Sequence, residues 1–87
     1  MILVSYIQPF DRMQQIFVLD ESTKDTVETV PTTIQNYEYA VTRLIDKYGA
    51  KLLQMHGPEK YCLKIKRNIE NEQNYKYNRQ KLIVEII

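Results

Sequence analysis

Residues 33–57 read TIQNYEYAVTRLIDKYGAKLLQMHG, and this stretch decides the fold. Ile34, Tyr37, Val41, Leu44, Ile45 and Tyr48 recur at helical spacing and make one apolar stripe. Thr32 and Gln35 stand at the spacing of a capping box, so a helix is expected from Thr33 to Tyr48. Gly49 stands where a left-handed C-cap belongs, and Lys47 lies in the last turn, where the helix dipole favours a cation. Lys51 to Met55 follows as a strand-sized apolar run containing Leu52, Leu53 and Met55. Gly57-Pro58 then opens a second helix, since proline suits the first helical position. A strand between two helices joins its neighbours by crossovers, and crossovers connect parallel strands. The run 51–55 is therefore expected to be a central parallel strand.

Upstream, Ile2 to Ile7 is a β-rich run that Pro9-Phe10-Asp11-Arg12 breaks, and Gln15 to Leu19 resumes it. The two runs read as a hairpin. Asp20 to Asp25 is a polar turn. Thr26 to Val30 reads as a polar third strand at a sheet edge, stopped by Pro31. Downstream, Tyr61, Cys62, Ile65 and Ile69 give the second helix a buried face, and Lys60, Lys64 and Arg67 lie on another. Helical character fades near Asn71, and the polar stretch from Asn71 to Gln80 is expected to be a mobile loop. Leu82 to Ile87 is the last strand. The order β-β-β-α-β-α-β over one 87-residue domain predicts a mixed α/β (α+β) fold with a five-stranded sheet.

This segment order resembles the core of ribonuclease-H-like proteins, where a three-stranded meander precedes alternating helices and parallel strands. The resemblance spans the chain but rests on order alone. It implies acidic metal ligands on the first strand and near the end of the fourth. Here the first strand, Ile2-Leu3-Val4-Ser5-Tyr6-Ile7, has no carboxylate, and the fourth ends Gln54-Met55-His56-Gly57. Asp11 and Glu59 are the nearest acids, and both fall outside their strands. The pattern therefore speaks against a metal nuclease. A ferredoxin-like sandwich, with the third strand only a loop, is the alternative fold.

Composition excludes several classes. One cysteine, Cys62, excludes an internal disulfide framework and a multi-cysteine metal site within one chain, and it reads as a small buried apolar residue. No apolar stretch approaches the roughly 20 residues that span a bilayer, and no signal peptide is visible. A cytoplasmic protein without cofactor, metal or membrane contact is expected. Abundant Ile, Lys, Asn and Tyr suggest AT-rich codons, and with the small size a phage or mobile-element origin. Residues 1–46 hold three basic and seven acidic residues, net −4; residues 47–87 hold nine and four, net +5; the sum is the formal +1. The halves thus present different surfaces, or attract another copy.

Three stretches carry the chemistry. His56 and Gly57 sit where a strand hands over to a helix, a place where α/β sheets bind ligands and a helix N-terminus offers N–H groups to an anion. Lys60, Lys64, Arg67, Tyr75, Lys76, Tyr77 and Arg79 interleave cations with rings, as a nucleic-acid or partner surface requires. Asp20, Glu21, Asp25 and Glu28 form an acidic group that either discourages edge pairing or docks a basic partner. Tyr37, Tyr48 and Tyr61 fit core stripes, whereas Tyr39 faces away from its stripe. No nucleophile and base stand together in a recognisable catalytic set. The expectation is a non-enzymatic accessory or regulatory protein that binds another macromolecule, above all a protein. Nucleic acid binding through 60–81 is the alternative, an anion site or small enzyme at His56 follows it, and a homodimer through an edge or terminal strand is also open.

Overall fold

A computed structural model describes the backbone of residues 1–76 and 82–87, and the side chains of residues 1–71 and 82–87. Its strands are β1 (Ile2–Tyr6), β2 (Met13–Leu19), β3 (Thr26–Thr33), β4 (Leu52–His56) and β5 (Ile83–Ile86), and its helices are α1 (Tyr37–Tyr48) and α2 (Glu59–Lys76). They form a mixed five-stranded sheet in the order β3-β2-β1-β4-β5. β1, β2 and β3 are an antiparallel meander, while β4 lies parallel to both β1 and β5. The helix between the meander and β4, and the one between β4 and β5, are the crossovers that parallel pairing needs. Residues 26–33 form a strand, so the ferredoxin-like alternative, which required a loop there, is not the arrangement formed.

Alternation sorts every strand into two faces. Leu3, Ser5, Gln14, Ile16, Val18, Leu53, Met55 and Val84 are buried, and the strand registers place them on one face. The apolar ones among them join a single core cluster with Tyr37, Val41, Leu44 and Ile45 of α1 and Cys62, Ile65 and Ile69 of α2. Both helices therefore cover the same side of the sheet. Removing these side chains from water is the main force holding the fold, at about 25 cal/mol per Å² of apolar area buried.

Four local expectations need correction. β3 does not stop before Pro31 but runs through it to Thr33. A proline is tolerated there because β3 is an edge and its missing N–H faces outward. α1 begins at Tyr37, not Thr33, and the Thr32–Gln35 capping box does not form. Thr32 is buried in the ladder opposite Gln14, and the Ile34 N–H extends that ladder to the Arg12 carbonyl at 3.3 Å. The Asn36 N–H bonds Thr33 instead, at both its carbonyl and its Oγ1. α2 does not fade near Asn71 but continues to Lys76, with neither glycine nor proline to stop it. Residues 77–80 of the expected loop lie outside the described residues. Tyr61 is exposed rather than core, because it flanks the stripe made by Cys62, Ile65 and Ile69. The end of α1 is as expected: Gly49 adopts φ 63° and its N–H bonds the Ile45 carbonyl at 2.8 Å.

One core residue is imperfectly satisfied. Tyr37 is fully buried and its hydroxyl has no hydrogen-bond partner among the described residues. The nearby Ser5 hydroxyl is committed to the Gln15 carbonyl at 3.1 Å. Burial pushes the phenol far above its ordinary value, and Ser5 offsets only part of that. Tyr37→Phe is expected to raise stability by about 1 kcal/mol, since an unpartnered buried hydroxyl is costly. Because burial holds the phenol in its neutral form, this group leaves stability independent of pH below about 10, the unfolded value, and lowers stability as pH rises above it. Urea unfolding at pH 7 and in alkali checks both points. A less stable phenylalanine variant, or an unchanged alkaline decline, would contradict them.

Candidate functional site

The sheet face opposite the helices has no element packed over it among the described residues. Ile2 and Val4 point to it, and although buried they stand outside the core cluster. Around them the registers place Tyr6, Met13, Phe17, Leu19, Leu52 and Ile83. Tyr6, Met13 and Ile83 are exposed, each by more than half. Tyr6 is the centre of an aromatic group. His56, its register partner on β4, stacks on it at 4.5 Å and 19°, and Phe17 meets it edge-on at 6.3 Å and 72°. A hollow of about 310 Å³ lies beside this group, between Tyr6, Gln8, Met13, Gln14, Gln15 and Phe17.

The β1–β2 loop adjoins this surface through Gln8, which lines the hollow with Tyr6. Phe10 stands at its tip, fully exposed. The loop is fastened from beneath by Gln14, which is 2% exposed. Gln14 Nε2 donates to the Gln8 carbonyl at 2.7 Å and the Asp11 carbonyl at 2.9 Å, and its Oε1 accepts from the Gln8 N–H at 2.8 Å. The Asp11 N–H also bonds the Gln8 carbonyl at 3.0 Å. Phe10 is thus presented on a braced turn, which lowers the ordering cost of a contact made through it. Phe10, Met13 and Gln14 carried no functional signal in the sequence pattern. An aromatic residue between turn formers, at Pro9-Phe10-Asp11, was the available clue to the first.

The residues singled out in the sequence are placed as follows. His56 ends β4, and alternation puts its ring on the open face with Tyr6, away from the side that α2 covers. Gly57 has φ 155°, and a Cβ there would lie 2.9 Å from the Ile7 carbonyl oxygen. The glycine is thus required by close packing, whatever else the corner does. Lys60, Lys64 and Arg67 are exposed on α2. Tyr75 and Lys76 end the α2 backbone, but their side chains lie outside the described residues, as do Tyr77 and Arg79 altogether.

Asp20, Glu21 and Asp25 share the β2–β3 turn. The Asp20 carboxylate accepts the Ser22 and Thr23 N–H groups at 2.8 and 3.2 Å, and these bonds, Thr23 foremost, hold it below the usual carboxylate range. Glu28 is turned elsewhere, toward α1. It accepts from the Tyr48 hydroxyl and from Lys47 Nζ at 3.1 Å, which lower its pKa and raise that of Lys47. The acidic group therefore divides between a self-bonded turn and an interelement contact. Cys62 is buried, and burial pushes its thiol up, away from the reactive thiolate.

Among the described residues, no three His, Cys, Asp or Glu side chains are grouped to hold a metal ion, and no helix is long and apolar enough to cross a membrane. No family model, no curated protein and no solved structure matches this chain.

Proposed function

We propose that this protein is a non-enzymatic interaction module that binds another protein through its open sheet face and the Phe10 loop. The observation that supports the reading best is the grouping of Met13, Tyr6 and Phe17 on the sheet face away from both helices, with the fully exposed Phe10 on the adjoining β1–β2 loop. An apolar surface left facing water is unfavourable unless a partner covers it, and exposed aromatics are common interface anchors. The rings of this face stand on the side of the sheet away from Lys60, Lys64 and Arg67 of α2, so the face itself suits a protein better than a nucleic-acid strand, which needs rings and cations together.

The test is affinity capture from lysate with and without nuclease. The bait is the natural chain or a variant carrying Tyr6→Ser, Phe10→Ser and Phe17→Ser. Each lost anchor is worth about 2 kcal/mol in a well-packed interface, so the variant should retain less than about a tenth of the partner. Circular dichroism establishes that both baits fold. Equal capture by the variant, or capture that nuclease abolishes, overturns the reading.

A further inference from the structure

The opposite edge of the meander carries a second surface, separate from the open face. β3 is an outer strand, and α1 runs beside it. Between them lies an open groove of about 750 Å³. Val30, Ala40 and Leu44 supply its apolar floor, and exposed Tyr39 and Arg43 stand on the helix side. The Arg43 guanidinium lies 5.8 Å from the centre of the Tyr39 ring. The Glu28–Lys47–Tyr48 contact ties β3 to α1 at the end of the groove.

The direction of the β3 backbone groups follows from its pairing. Thr32 faces Gln14, Val30 faces Ile16 and Glu28 faces Val18, and the Ile34 N–H bonds the Arg12 carbonyl. In an antiparallel ladder, hydrogen-bonded and non-bonded pairs alternate. Even-numbered residues from 28 to 34 thus spend their N–H and C=O groups on β2, and odd-numbered ones point outward. The Thr33 carbonyl is taken by the Asn36 N–H at 3.1 Å. Among the described residues, the Thr29 N–H, the Thr29 carbonyl and the Pro31 carbonyl remain on the free edge, and Pro31 also lines the groove. Proline at position 31 removes one outward donor, which discourages unlimited edge pairing but keeps an acceptor. Charge also limits the occupant. Glu28, Arg43, Asp46 and Lys47 line the groove and their formal charges cancel, and Glu28 is bonded to Lys47. The complement is an uncharged strand with an apolar side chain over Val30, Ala40 and Leu44.

We propose that the β3–α1 groove takes up an extended, uncharged segment of a partner polypeptide as a sixth strand. Its amide groups pair with Thr29 and Pro31, and one apolar side chain enters the groove. Such strand addition draws affinity from main-chain bonds and specificity from the pocket for alternate side chains.

The test uses isotope-labelled protein and a panel of terminally blocked heptapeptides. They alternate threonine with valine, leucine, isoleucine, phenylalanine or aspartate at the central position. Apolar members should shift the Thr29 amide resonance and slow its hydrogen exchange, with the aspartate member at least about tenfold weaker. Backbone N-methylation of the best peptide should abolish binding. Thr29→Pro should do the same while leaving the fold intact, because the Thr29 N–H makes no ladder bond to β2. Ala40→Arg, which fills the groove from α1, is the second variant. Absence of binding by every member up to about 1 mM overturns the proposal, as does binding indifferent to N-methylation or to both variants. The Tyr6, Phe10 and Phe17 triple variant should bind the peptides normally. Failure here thus leaves the open-face reading standing, and the converse also holds.

Discussion

Gly57→Ala is expected to destabilise the protein by about 3 kcal/mol, a large part of the roughly 5–15 kcal/mol that holds a small domain together. Two causes add. The backbone at φ 155° lies where side-chain-bearing residues are strained by about 1–3 kcal/mol. A Cβ would also meet the Ile7 carbonyl oxygen at 2.9 Å and the Ile7 Cβ at 3.0 Å, and neither is the far end of a flexible side chain. The corner cannot yield easily, because the Ile7 N–H is bonded to the His56 carbonyl at 2.6 Å and continues the β1–β4 pairing. Gly49→Ala is the control. Gly49 also has positive φ, at 63°, but an added Cβ meets nothing within 4 Å, so the cost should be about 1 kcal/mol. Urea midpoints of the two variants decide the matter. A Gly57 variant no worse than the Gly49 one would show that the Ile7 contact relaxes freely.

Gln14→Leu is expected to cost a further large amount, about 3 kcal/mol, despite keeping a similar volume in a buried site. Leucine leaves the Gln8 N–H, the Gln8 carbonyl and the Asp11 carbonyl without the amide that joins them. Each lost bond contributes about 1 kcal/mol net, and more if the orphaned group stays away from water. The loss should be local first. Amide exchange across residues 8–11 should speed up well before the core of β1 and β2 opens. Because Phe10 rides on this turn, partner capture should weaken too. A stability change under about 1 kcal/mol with unaltered exchange at Gln8 would show that water replaces the Gln14 amide without loss.

The strength of local signals explains which elements were legible. The α1 stripe is buried at Tyr37, Val41, Leu44 and Ile45, and Gly49 caps it, because helical spacing and a left-handed glycine are short-range features. The start of α1 was not legible, since Thr32 and Thr33 fit both a cap and a strand, and pairing with β2 decided for the strand. Gln14 sat unnoticed for a similar reason. A polar residue before Gln15-Ile16-Phe17 reads as solvent-facing until the turn at residues 8–11 folds back over it. The open face was hidden in another way. Tyr6, Phe17 and His56 lie far apart in sequence and become neighbours only through the β1–β2 and β1–β4 registers.

By itself the sequence determined the element order, the parallel placement of β4 and the polar character of the edge strand β3. These follow from periodicity and residue chemistry, which act over a few positions. Only the tertiary structure decided that both helices share one side of the sheet, leaving an aromatic face on the other. It also decided that β3 runs beside α1 with a groove between them, and that Gly57 is held against Ile7. Alternation gives each strand two faces but does not say which face a helix will cover. That choice is made by the crossovers and by the burial of one common core.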